Sequence, residues 1–112
     1  MSKAHPRQIE LYVTDEGKIP FNDWLSNIKD SRLKNEIRNR LDRVLLGNFG
    51  DHKSVGEDVY ELRITYGAGY RIYYAEAEEK IVVLLCAGDK SSQPQDILKA
   101  KAYWLDYKES NI

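Results

Sequence analysis

Two stretches decide the fold: Tyr60-Glu61-Leu62-Arg63-Ile64-Thr65-Tyr66-Gly67-Ala68-Gly69-Tyr70-Arg71-Ile72-Tyr73-Tyr74-Ala75, and after it Ile81-Val82-Val83-Leu84-Leu85-Cys86-Ala87. Tyr60, Leu62, Ile64 and Tyr66 alternate with Glu61, Arg63 and Thr65, which is the period of a strand whose side chains point to opposite faces. Gly67-Ala68-Gly69 supplies the turn, and Tyr70, Ile72 and Tyr74 then alternate with Arg71, Tyr73 and Ala75. An acid-rich turn over 76–80 leads into Ile81 to Ala87, an unbroken apolar run of strand length. Such a run reads as a strand buried on both faces and therefore central. The three strands form an antiparallel meander.

Upstream of the meander, 47–58 holds three glycines and little apolar content and reads as a loop. Before it, Leu33, Ile37, Leu41, Val44 and Leu45 make one stripe of a helix over Arg32 to Leu46. Asp30 or Ser31 is its N-cap and Gly47 its stop. Phe21, Trp24, Leu25 and Ile28 give a shorter helix, so the pair forms a helical hairpin. Gln8 to Val13 alternates and reads as a half-buried strand, with Ile9, Leu11 and Val13 on one face. Downstream, Pro94 suits the first turn of a helix whose apolar side is Ile97, Leu98, Ala102, Trp104 and Leu105, with Lys101 at its edge. The order β-α-α-β-β-β-α, with segregated helices and an antiparallel meander, is α+β.

The 112 residues fit one domain, 1–112. With 42% hydrophobic and 31% charged residues, the composition is that of a globular chain rather than a disordered one. Cys86 is the only cysteine, which excludes an intramolecular disulfide framework. Met1 to Arg7 carries charge but no apolar run, and no stretch approaches the ~20 apolar residues of a membrane helix. A cytoplasmic protein without a membrane partner is expected. The net charge of −1, from 17 basic and 18 acidic residues, argues against a free-standing nucleic-acid binder. Any RNA site must be a local cluster, or a larger partner must supply binding energy.

The meander's face of Tyr60, Leu62, Ile64, Tyr66, Tyr70, Ile72 and Tyr74 is apolar enough to cover the helical hairpin, and its second face, with Glu61, Arg63, Arg71 and Tyr73, carries the candidate chemistry. Period-two geometry puts Arg63 and Arg71 on the same side of neighbouring strands. Two guanidinium groups so placed either clamp a phosphate or are neutralised by Glu61 and other acids, and both readings stand. Lys90-Ser91-Ser92 follows the apolar strand and precedes a helix, so it either holds an anion or is a solvated lysine with Ser92 as a cap. Tyr73, on the arginine face, is the tyrosine expected to stack on a base. His5 and His52 have no metal-ligand spacing, and Cys86 in its buried strand reads as inert.

Tyr60-Glu61-Leu62-Arg63 followed by Gly69-Tyr70-Arg71-Ile72-Tyr73-Tyr74 resembles the RelE/ParE toxin superfamily, in which a basic strand precedes a Tyr-Arg-apolar-x-Tyr strand. Leu84 to Gln93, then Asp96-Ile97 and Ala100, with the Pro20-Phe21 to Trp24-Leu25 opening, is similar to the HigB-like, phage-derived addiction-module killer branch. The resemblance covers nearly the whole chain. It implies a RelE-like fold and the toxin of a type II toxin–antitoxin system, partnered by a helix-turn-helix antitoxin. It also implies mRNA cleavage on the ribosome without metal or other cofactor, by attack of a 2′-hydroxyl on the adjacent phosphate.

By position, Arg71 matches the arginine that stabilises the transition state, and Arg63 and Lys90 match flanking basic residues. Ser91 and Ser92 would contact RNA. Where Cys86 and Ser91 stand, many HigB-like chains have a histidine and a second lysine, so Glu61 is the nearest candidate for a general base. ParE-like members instead inhibit DNA gyrase without nuclease activity. An inactive, antitoxin-binding remnant is the third alternative.

Overall fold

The computed structural model describes residues 5–110. The reading of Met1 to Arg7 as free of a targeting segment therefore lies partly outside the described residues. The elements are β1 (Gln8–Leu11), α1 (Pro20–Ser26), α2 (Ser31–Leu45), β2 (His52–Gly56), β3 (Val59–Ile64), β4 (Tyr70–Ala77), β5 (Ile81–Asp89), a 3-10 turn (Lys90–Ser92) and α3 (Gln93–Ser110). They build one α+β fold on a five-stranded sheet of order β1-β5-β4-β3-β2. β1 runs parallel to β5, and all other pairings are antiparallel.

The expected meander is present as β3, β4 and β5. β5 has a strand on each side, but β4 occupies the middle of the sheet. The loop expected over 47–58 contains β2 instead. His52–Gly56 is an edge strand exposed except at half-buried Val55, so no apolar alternation marks it. Its pairing with β3 defines it. Gly56, Glu57 and Asp58 all take positive φ, which closes the tight β2–β3 turn.

The first face of the sheet lies under α1 and α2. Phe21, Leu33, Ile37 and Val44 pack on Leu62, Ile64, Ile72, Tyr74, Val82, Leu84 and Ala87. This is the tyrosine-rich face that alternation assigned to the helical hairpin. The second face lies under α3, where Tyr12, Val59, Tyr73, Ala75, Val83, Leu85, Cys86, Ala100 and Trp104 form a separate core. Burial pushes the Cys86 thiol up to about 12, as an inert thiol requires.

A bulge in β5 sets this arrangement. Tyr73 pairs with Cys86 and Tyr74 with Leu84, so Leu85 is an extra residue. Leu85 and Cys86 both face α3, and the alternation beyond them is inverted. Gly88 thereby comes onto the α3 face, opposite Arg71.

The apolar side expected of α3 is displaced. Ala100 and Trp104 face the sheet and Asp96 is buried, whereas Leu98 and Leu105 are 69% and 54% exposed. Apolar residues lie all round this helix, so periodicity could not fix its inner face. At the other end of the fold Val13, read as part of the β1 face, lies past the strand and is exposed, while Tyr12 is buried against Tyr103.

α2 begins at Asp30, whose carboxylate accepts the backbone N–H of Arg32 at 2.9 Å and of Leu33 at 3.3 Å. Its other oxygen accepts the Tyr66 hydroxyl at 2.9 Å, tying the helix to the β3–β4 turn. The Tyr66 bond, then the two backbone bonds, hold this carboxyl below the ordinary aspartate value. A lowered folded value stabilises above the unfolded value and is lost as pH falls through the folded one. The wild type should therefore lose thermal stability more steeply than Asp30→Asn as pH falls through and below the ordinary aspartate range. Melting curves followed by circular dichroism measure this, and parallel slopes would refute it.

Candidate active site

The polar end of the α3 face gathers Glu61 and Arg63 from β3, Arg71 from β4 and Gln93 from the start of α3. Arg63 and Arg71 are direct register partners, as alternation requires. Between them lies the Glu61 carboxylate, 2% exposed. Its Oε2 is 3.0 Å from Arg63 Nε and 3.6 Å from Arg71 Nε. Its Oε1 accepts the Gln93 side-chain amide at 3.0 Å. Neither arginine Nε makes an aligned hydrogen bond among the described residues, so the pairing is one of charge. Two guanidinium groups share this one carboxylate, and the buried Asp96 carboxylate lies close by. The Arg63 and Arg71 side chains are 36% and 15% exposed, so the cluster has a solvent-facing side.

Glu61 sits between the arginines, as the neutralising reading has it. It is not placed as a general base: it is buried, and both its oxygens are engaged. Its observed work is to hold like charges together, which would otherwise repel.

Tyr73 corrects another expectation. It is 0% exposed beneath α3 and cannot stack on a base. Its hydroxyl is buried without a hydrogen-bond partner among the described residues, and desolvation, then the charges of Glu61 and Asp96, raise its pKa. Alternation placed Tyr73 on the arginine face correctly but could not show where α3 ends its cover.

Lys90 is exposed, and its backbone N–H donates to Gly69 O at 3.2 Å. The segment after β5 is thereby held at the β3–β4 turn, two positions beyond the partner of Arg71. Ser91 and Ser92 do not form an open anion cradle. Asp89 Oδ1 already accepts the backbone N–H of Ser91 at 2.8 Å and of Ser92 at 3.2 Å, and the Ser91 hydroxyl at 2.6 Å. These bonds, the Ser91 hydroxyl first, hold the Asp89 carboxyl below its ordinary value. The Ser92 hydroxyl donates to Asp96 Oδ2 at 2.5 Å. Internal carboxylates occupy the donors that an anion would need.

Three residues that sequence reasoning did not single out build this region. Gln93 directly follows Lys90-Ser91-Ser92, and nothing in its spacing pairs it with Glu61. Arg40 stands among the cations of α2, where charged side chains are ordinarily solvated. It donates instead to the carbonyls of Arg63, Phe49 and Asp51, bracing the β3 end against α2. Asp96 lies over Gly88, where a Cβ would meet its Oδ2 at 2.0 Å and Ser92 Oγ at 2.7 Å. Gly88→Ala must displace the Asp96 and Ser92 side chains and should destabilise by about 1–3 kcal/mol. Urea denaturation reads this, and unchanged stability would refute the close packing of α3 on β5.

Residues 23–103 match the family model of phage-derived protein Gp49-like (DUF891), which is most of the chain. The chain belongs to the Gp49-like family. That family is part of the RelE/ParE-like toxin superfamily, and the Gp49-like chain has a compatible α+β fold. A Haemophilus influenzae strain Rd protein, described only as uncharacterized, is 48% identical over 83 residues, covering 74% of this Gp49-like chain and 84% of its own length. The family match spans every member of the arginine cluster and Lys90. No helix among the described residues is long and apolar enough to cross a membrane.

Proposed function

We propose that this Gp49-like chain is the toxin of a type II toxin–antitoxin pair and a metal-independent, ribosome-associated mRNA endonuclease of HigB-like type. The observation that carries this reading is the Arg63–Arg71 pair, held side by side by buried Glu61 and with a solvent-facing side. Planar guanidinium groups suit the oxygens of a phosphate. The 2′-oxygen bonds to the adjacent phosphorus and the bond from phosphorus to the 5′-oxygen breaks. A 2′,3′-cyclic phosphate and a 5′-hydroxyl result. Arg71, with Arg63 and Lys90, stabilises charge that develops on the phosphate oxygens. With Glu61 engaged, the 2′-hydroxyl proton passes to water or to a ribosomal group, and the departing 5′-oxygen takes up a proton.

The ribosome, as partner, offsets the weak affinity for RNA expected of a chain with net charge −1. A cognate helix-turn-helix antitoxin would restrain the toxin in the cytoplasm.

A short expression pulse followed by mapping of cellular mRNA 5′ ends tests this. New cuts in translated messages, absent with Arg71→Ala, are expected. Growth arrest with intact mRNA would contradict nuclease action and favour gyrase inhibition, and neither arrest nor cuts would leave an antitoxin-binding remnant.

A further inference from the structure

We infer that Gln93 is a positioning residue for the arginine pair, acting through Glu61. The activity it serves is the proposed RNA cleavage, but the geometry it controls can be read without activity.

Glu61 must present one oxygen to two cations. A carboxylate free to rotate would favour Arg63, whose Nε is 3.0 Å from Oε2, over Arg71 at 3.6 Å. Gln93 fixes the rotation by donating its amide to Oε1 at 3.0 Å, leaving Oε2 between the arginines. Gln93 itself is held firmly. It is the first residue of α3, it follows the 3-10 turn capped by Asp89, and Pro94 comes next. The rigid start of a long helix is thus connected by one hydrogen bond to a buried carboxylate, and by that carboxylate to two cations. Around Glu61 lie its register partner Lys53 on β2, Arg63 on β3, Arg71 and Tyr73 on β4, and Asp96 on α3. Of the surrounding groups, Gln93 provides the hydrogen bond to Oε1. The amide is also uncharged, so it orients Glu61 without adding to the charge of the cluster.

Gln93→Ala removes the donor, and Gln93→Glu replaces it with an isosteric acceptor. Arginine Nε–Hε resonances, assigned with Arg63→Lys and Arg71→Lys, report the order of the pair directly. In the wild type both should be sharp and slow to exchange. In folded Gln93→Ala both should broaden or exchange faster, while the melting temperature stays near that of the wild type. Gln93→Glu should behave like Gln93→Ala at neutral pH. It should regain sharp resonances on acidification, when the introduced carboxyl takes a proton and donates the missing bond to Glu61.

On translating ribosomes, kcat should fall by about 10²-fold in Gln93→Ala with KM little changed, since misplacement rather than substrate binding is affected. Unchanged arginine resonances in Gln93→Ala, or no recovery of Gln93→Glu at low pH, would overturn the inference. Were the wild type to leave mRNA intact, the cleavage reading would fail, and the resonances would still decide the role of Gln93.

Discussion

Glu61→Ala should lower the unfolding free energy by about 3 kcal/mol, the largest single-residue effect expected at the polar end of the sheet. The reason is the company the carboxylate keeps. It is 2% exposed and faces two guanidinium groups whose Nε atoms are themselves buried. Removing it leaves two like charges on register-paired residues of neighbouring strands, with no anion between them. The arginines are partly exposed, so water relieves some of the penalty, and the expected loss lies at the lower end of the ~3–5 kcal/mol typical of a broken buried pair. Glu61→Gln, which keeps the shape and an acceptor for Gln93 but loses the charge, should fall between the wild type and Glu61→Ala. Urea titrations of the three proteins measure the order. Glu61→Ala within about 0.5 kcal/mol of the wild type would show that Glu61 does not hold the arginine pair together.

On the proposed cleavage reading, Arg71→Ala should reduce mRNA cleavage by about 10²–10³-fold, the effect of removing one donor aimed at charge developing in a transition state. The fold should survive, because Glu61 retains Arg63 at 3.0 Å and Gln93 at 3.0 Å. Arg71→Lys should not restore activity. An ammonium is a point charge and cannot face Glu61 along one edge while forking a phosphate with the other. Cleavage by Arg71→Lys at the wild-type rate would mean that charge alone is required, and the fork geometry would play no part.

Much of this was legible in the sequence. The alternation of 60–75 assigned the tyrosine-rich face to the helical hairpin and placed Arg63 and Arg71 side by side. The Asp30 cap was readable because a short acceptor stood just before an apolar stripe. What escaped did so for physical reasons. β2 is a strand only because it pairs with β3, and an exposed edge needs no hydrophobic pattern. The β5 bulge inverts alternation within a run of uniformly apolar residues, where pattern carries no phase. The inner face of α3 was misassigned because leucines lie on its outer side as well. Tyr73 and Glu61 were placed on the correct face, but how far α3 covers that face is a tertiary fact. Gln93 and Asp96 act on residues from distant parts of the chain, and no local spacing reveals such pairings. Ser91 and Ser92 had the right chemistry for an anion, and the chain fills that role with its own Asp89 and Asp96.

The most direct test of the central claim, that the Glu61-held arginine pair cleaves RNA, is a reconstituted one. Purified wild type and Arg71→Ala would each be added to ribosomes translating an end-labelled mRNA, and the ends of the fragments analysed chemically. Fragments bearing a 2′,3′-cyclic phosphate on one side and a 5′-hydroxyl on the other, made by the wild type and reduced at least about 10²-fold in the mutant, are expected. Intact mRNA with the wild type, or equal cleavage by both proteins, would contradict it.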